Sequence, residues 1–249
     1  MVGMTNESGT QPYAHPPIVE AILEVRFASE VNEAKLRKAH DFIEKRYSDS
    51  KTELQVEAKM DFAGRTAAFA DRPPVYRLTS LDQTDACVLG NKSVAWVRRA
   101  PYEGWTPFCQ RVAEELIIIF KALGGPGVNR IGLRYVNRID VPYVDHIAHY
   151  EDYLNFKINH TGLLEPTLIY QWLVVKEFPD TKLKAIVQSA VVEPEIPSLA
   201  AFSFDIDIAC EVEVPQKADD ILLKLEAMRT LKNTIFEAGI TDRARELYA

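Results

Sequence analysis

Apolar and polar residues alternate from Ile18 to Phe27. Val19, Ala21, Leu23, Val25 and Phe27 fall on one side, and Glu20, Ile22, Glu24 and Arg26 on the other. A period of two sustained over this length predicts a half-buried strand. The pattern then changes. Leu36, Ala39, Ile43 and Tyr47 recur at helical spacing, which predicts an amphipathic helix over about Glu33–Tyr47. Short strand patterns follow near Glu53–Phe62, Val75–Ser80, Ala86–Leu89 and Ser93–Arg98. Pro73-Pro74 punctuates them, and Gly90-Asn91 predicts a tight hairpin turn. Thr106-Pro107 predicts a helix start, with Thr as the cap and Pro at the first helical position. Val112, Leu116, Ile119, Phe120 and Leu123 form its apolar stripe, and Gly124-Gly125-Pro126 ends it.

A second run repeats this order. In Arg130–Val141, Ile131, Leu133, Tyr135, Ile139 and Val141 alternate with Arg130, Arg134, Arg138 and Asp140. A short helix is expected at about Tyr150–Phe156. Strands are expected at Thr167–Phe178, Lys182–Val192 and Ala201–Val214. In the last, Phe202, Phe204, Ile206, Ile208, Cys210 and Val212 oppose Ser203, Asp205, Asp207, Glu211 and Glu213. Tyr170 and Trp172 share one face of their strand and its other face is also apolar, so the core is expected on both sides. A long helix over about Lys217–Ala238 would bury Ile221, Leu222, Leu225, Met228, Leu231 and Ile235, and Thr241 would cap a final helix, Asp242–Tyr248.

The order strand, helix, strands, helix, taken twice, predicts an α+β protein: one or more antiparallel sheets with helices packed on one face, in two pseudo-repeated halves. In architecture alone it resembles the TATA-binding-protein-like and helix-grip folds. The expected division is a disordered N-terminal tail over 1–15, a first half over 16–127 and a second over 128–249, the halves forming one compact unit.

Composition narrows the class. Of 249 residues 47% are hydrophobic, enough for a sizeable core, and the formal charge of −7 opposes coating of nucleic acid by charge. Three scattered cysteines, Cys87, Cys109 and Cys210, form neither a disulfide framework nor a zinc motif. The polar start is no signal peptide and the apolar runs are too short for a bilayer, so a cytoplasmic protein without a membrane partner is expected.

Three stretches resemble a known family. They are Pro16-Pro17-Ile18-Val19-Glu20-Ala21-Ile22-Leu23-Glu24-Val25-Arg26-Phe27, Arg130-Ile131-Gly132-Leu133-Arg134-Tyr135-Val136-Asn137-Arg138-Ile139, and the end from Leu231-Lys232-Asn233 through Phe236 to Thr241-Asp242 and Ala244. Together they resemble a sporadically distributed prokaryotic family known chiefly as a sequence model. The resemblance implies a protein of the accessory genome and brings no established activity or catalytic residues.

Candidate chemistry concentrates on the charged sides of three strands. Glu20, Glu24 and Arg26 line one, Arg134 and Arg138 (with Arg130 and Asp140) a second, and Asp205 and Asp207 (with Glu211 and Glu213) a third. These rows read either as cross-strand ion pairs on a solvated sheet or as a binding face in which arginines hold phosphate or carboxylate. Triphosphate-tunnel enzymes carry Glu-x-Glu-x-Lys on their first strand. Glu20-x-Ile22-x-Glu24-x-Arg26 is similar but departs at Ile22 and in its arginine. His146 and His149 stand three apart beside acids but in a polar connection, so no metal site is expected, and no cofactor. Phosphate-loop, dinucleotide, zinc-protease and nucleophile-elbow motifs are absent. The expectation is a non-enzymatic binding or interaction module with a protein partner or a second copy. The alternatives are a phosphate- or nucleotide-processing enzyme using the charged face or a tunnel, then a nucleic-acid-binding protein.

Overall fold

The structure, a computed structural model, describes residues 13–61, 66–143, 149–156 and 169–249, with only the backbone path for 54–61 and 66–72. Its strands are β1 (Ile18–Phe27), β2 (Asp49–Asp61), β3 (Thr66–Thr79), β4 (Asp85–Leu89), β5 (Ser93–Arg99), β6 (Val128–Pro142), β7 (Gln171–Phe178), β8 (Leu183–Val192) and β9 (Leu199–Cys210). The helices are α1 (Glu33–Ile43), α2 (Trp105–Leu123), α3 (Ala218–Gly239) and α4 (Asp242–Glu246). The fold is α+β. All nine strands join one open antiparallel sheet in the order β2-β3-β4-β5-β1-β6-β9-β8-β7, and the helices pack against it. The opening strands of the two runs, β1 and β6, pair at the centre. Each also pairs with the last strand of its own run, β5 and β9.

Register converts the alternation in sequence into two faces. Trp96, Leu23, Leu133 and Ile208 face one another across β5, β1, β6 and β9, and all four are fully buried on the helix side. The next row, Val97, Ile22, Arg134, Asp207, Ile186 and Val175, points the other way, to the side that bears no helix among the described residues, the helix-free side. Val112, Leu116 and Ile119 of α2, and Ile221, Leu225 and Met228 of α3, complete the core.

Local chemistry sets the element ends. Asn32 caps α1, its Oδ1 accepting the Lys35 N–H at 2.9 Å, and the expected last turn of that helix tightens to a 3-10 turn at Glu44–Arg46. Helix α2 starts two residues before the expected position, capped by Gly104 in place of Thr106. Pro107 therefore lies within the first turn, where a missing N–H costs nothing. It ends at left-handed Gly124 (φ 79°), as Gly124-Gly125 predicts. Thr241 caps α4, its Oγ1 accepting the Ala244 N–H.

Four further expectations change. Pro73-Pro74 lies inside β3, where the two prolines oppose one residue of β2 at a register shift. Strand β4 pairs only with Tyr76–Thr79, so the prolines face no ladder on that side. The last strand ends at Cys210, not Val214; Glu213 takes φ 50° and Val212 is exposed. The short helix at Tyr150–Phe156 is a 3-10 turn at Tyr150–Asp152, followed by a bridge from Leu154 to Ile240. Of the expected N-terminal tail, 1–12 lies outside the described residues, as does part of the β7 expectation at 167–168. Tyr13 is held in place, its hydroxyl donating to Glu237 at 2.9 Å and its ring edge-on to Tyr248.

Candidate functional site

All seven candidate residues emerge on the helix-free face, because they occupy alternate positions of β1, β6 and β9. Glu20 and Glu24 are half-buried and Arg26 is exposed on β1. Arg134 and Arg138 are half-buried on β6; Asp205 is buried and Asp207 half-buried on β9. Arg130, Asp140 and Glu211 join them.

Their pairing is dense. Arg130 spans three carboxylates: Nη1 to Glu24 Oε2 at 2.9 Å, Nη2 to Asp207 Oδ2 at 2.8 Å and Nε to Glu211 Oε1 at 3.3 Å. Arg26 Nε shares the Glu24 oxygen at 2.8 Å. Arg134 grips Asp205 with Nε at 2.9 Å and Nη2 at 2.5 Å, while Gln188 Nε2 donates to the same carboxylate at 2.6 Å. Arg138 holds Asp140 at 3.1 Å and Glu195 at 3.3 Å. Arg99 lies 3.6 Å from Glu20. Burial pushes the Asp207 carboxyl up despite Arg130, whereas the Lys184 ammonium, bonded at 2.5 Å, holds Glu211 down. Glu213, expected in the same row, instead pairs with Lys182 beyond the strand end.

These contacts define what the face can do. Each arginine already donates to carboxylate in forked or shared geometry, so an incoming phosphate would have to displace a partner. Among the described residues the sheet is open, with β2 and β7 as its edges, so the charged rows form one side of a sheet.

The same face turns apolar toward β7. Across the register, Arg134 leads through Asp207 and Ile186 to Val175, and Asp205 leads through Gln188 to Leu173. Leu173, Val174 and Val175 are 57%, 52% and 54% exposed, and Ile169 just before them is 80% exposed. The core expected on both sides of this strand is therefore found on neither at these positions. Only Tyr170 is buried, with Trp172 half-buried against Phe156. The strand sits at the sheet edge, which its sequence does not disclose.

Two polar groups on the helix side were not anticipated, because each occupies a place in an apolar helical stripe. Glu115 of α2 is buried and accepts from Trp96 Nε1 at 2.9 Å and Tyr47 OH at 2.8 Å, with Arg46 Nε at 3.4 Å. Burial pushes its carboxyl up. Its donors enclose it, so it ties α2 to β5 and to the end of α1. Lys232 of α3 is 9% exposed, and its Nζ lies 4.1 Å from the centre of the Tyr135 ring. Tyr135 OH meets Tyr102 OH at 2.8 Å, and burial pushes Lys232 down to about 8.

Trp105 and Phe108 are buried and anchor α2, with Trp105 Nε1 donating to Glu226 at 2.6 Å. His146 lies outside the described residues, and His149 is exposed. His40, Asp41 and Glu44 lie close enough together for a metal ion. The His40 ring nitrogens already meet Asp41 Oδ1 at 3.1 Å and Ser50 Oγ at 2.9 Å. All three cysteines are free thiols. Among the described residues no helix is long and apolar enough to cross a membrane.

Compared with known proteins, the chain matches no family model, and no curated protein matches it as a relative. The family resemblance thus stands on the three quoted stretches alone.

Proposed function

We propose that this chain is a non-enzymatic, cytoplasmic protein-interaction module that binds its partner along β7 and the adjoining helix-free face. One observation carries the reading: among the described residues β7 is an edge strand whose central residues, Leu173, Val174 and Val175, are exposed on both faces. An edge of this kind templates pairing with another chain, and folded proteins blunt such edges unless they use them. The opposite edge is blunted over the residues whose side chains are described, since β2 opens with exposed Asp49, Lys51 and Glu53, where β7 carries Leu173, Val174 and Val175. The charged rows support a protein partner over phosphate or nucleic acid, because Arg130, Arg134 and Arg138 are already committed to acids.

The test replaces Leu173 with a photo-crosslinking amino acid in cells, with exposed Leu223 of α3 as the control position, and identifies adducts by mass. A protein adduct from position 173 alone is expected. In parallel, calorimetry with ATP, tripolyphosphate and single-stranded DNA, with and without magnesium, should show no saturable binding. Magnesium-dependent binding abolished by Arg130→Ala would establish the phosphate enzyme instead.

A further inference from the structure

The partner's chemistry can be read from the edge itself. Val191 donates its N–H to the Tyr170 carbonyl at 3.1 Å, one step beyond the Gln171–Ala190 pair of the β7–β8 ladder. In an antiparallel ladder the N–H and C=O of one residue point the same way, and successive residues point to opposite sides. The even-numbered residues of β7 therefore turn toward β8. Gln171, Leu173, Val175 and Glu177 turn their backbone groups outward, where among the described residues no strand pairs with them.

We infer that this edge pairs with β7 of a second copy of the chain, antiparallel, about a two-fold axis through Val174. The inference rests on the interaction-module reading and names its partner. In this register Leu173 lies opposite Val175 of the other copy, so two Leu–Val pairs form one apolar patch on the helix-free side. Gln171 lies opposite Glu177. On the helix side the two Val174 side chains meet, and each Lys176 lies opposite a Trp172, a cation facing an aromatic ring. All four outward residues find a hydrogen-bonded counterpart, because the odd numbers pair among themselves. The charges support a second copy over an unrelated strand. The strand's only ionised residues, Lys176 and Glu177, adjoin at one end, so two-fold pairing carries each to the uncharged end of its mate and no like charges meet. Shifting the axis to Val175 would set Leu173 against Glu177 and Val174 against Lys176, apolar against charged both times. The product is a continuous sheet in which the two nine-stranded sheets share one hydrogen-bonded seam, with an isologous interface.

Light scattering on the full chain across a wide concentration range should give twice the 28.2 kDa chain mass, falling to one chain mass in Val174→Lys, which places two ammonium groups at the axis. Val174 is exposed, so this variant should keep the wild-type circular dichroism. In a Cys109→Ser background, Val174→Cys should form an inter-chain disulfide under mild oxidation, because side chains of a non-hydrogen-bonded pair approach most closely. Val175→Cys should not, since it faces Leu173. A dimer that survives Val174→Lys, a disulfide from position 175 in place of 174, or a cross-link from 174 to the chain's own segment 157–168 would each overturn the inference. A monomer whose position 173 still captures a different protein would overturn the second copy and leave the interaction module standing. A monomer with no adduct would overturn both.

Discussion

The guanidinium of Arg130 lies across the bare Cα of Gly132, two residues along the same strand. A Cβ built on Gly132 would sit 3.0 Å from Arg130 Cζ and closer still to Nη1. Gly132 stands between Glu24 and Ala209 in the register, so the space it leaves is where Arg130 crosses to reach Glu24 on one neighbouring strand and Asp207 on the other. Alanine normally stabilises a strand relative to glycine by a few tenths of a kcal/mol or more. Here the sign should reverse. Gly132→Ala is expected to destabilise by about 1–3 kcal/mol, by dislodging a partly buried charge from its partners. Urea denaturation of Gly132→Ala, Arg130→Ala and the double variant measures it. The penalty of the alanine should largely vanish once Arg130 is gone, and additive costs would rule this contact out as the cause.

Arg134→Ala tests a pair of unequal exposure. The arginine side chain is 43% exposed, but the Asp205 carboxylate it grips is only 6% exposed. Solvent screening at the arginine lowers the loss below that of a fully enclosed pair, so the expected cost is roughly 1–3 kcal/mol. Gln188 remains as a donor, and Arg134→Ala combined with Gln188→Ala should cost more than the sum of the two. Near-wild-type stability of Arg134→Ala would mean that water reaches Asp205 as easily as Gln188 does.

Leu23 is fully enclosed between Trp96 and Leu133 on the core side of β1. Leu23→Ala should therefore cost about 2–5 kcal/mol by chemical denaturation. A smaller loss would mean that the centre of the sheet collapses onto the cavity.

The contrast between β1 and β7 explains what the chain discloses in advance. In β1 polar and apolar positions alternate, so the buried face follows from periodicity alone, and the rows on β6 and β9 follow likewise. In β7, Leu173, Val174 and Val175 are apolar on both faces, a pattern shared by a central strand and by an edge awaiting a partner. Topology decides between them, and topology is a long-range property. Partners are equally non-local. Glu24 suggests Arg134 or Arg138 as its mate, but it lies opposite Gly132, whose missing side chain admits Arg130, while Arg134 is taken by Asp205. Glu115 and Lys232 escape for the opposite reason. Helical periodicity assigns their positions to apolar residues, and only the neighbouring Trp96, Tyr47 and Tyr135 show how each polar group is accommodated.

Lys232 yields the most specific pH dependence. Its amine is pushed down to about 8 by burial, from the ordinary 10.5, with Arg229 adding to the effect and Glu237 opposing it. Below pH 8 the lysine is charged in both the folded and unfolded chain, and the folded state bears the full cost of burying it. Between pH 8 and 10.5 the unfolded chain keeps a proton that the folded chain has released, so this group makes stability rise with pH. Other groups act in reverse. Cys87, Cys109 and Cys210 are pushed above 9, and Tyr102 and Tyr135 above 10, so each holds its proton longer when folded and lowers stability as the medium turns alkaline. The comparison of wild type with Lys232→Met removes these shared contributions. The methionine variant should be more stable at pH 7 by on the order of 1–3 kcal/mol, and its advantage should shrink steadily between pH 8 and 10. Thermal or urea denaturation at half-unit pH steps reads the difference directly. A difference independent of pH would show that Lys232 keeps its charge in the folded chain, held by the Tyr135 ring.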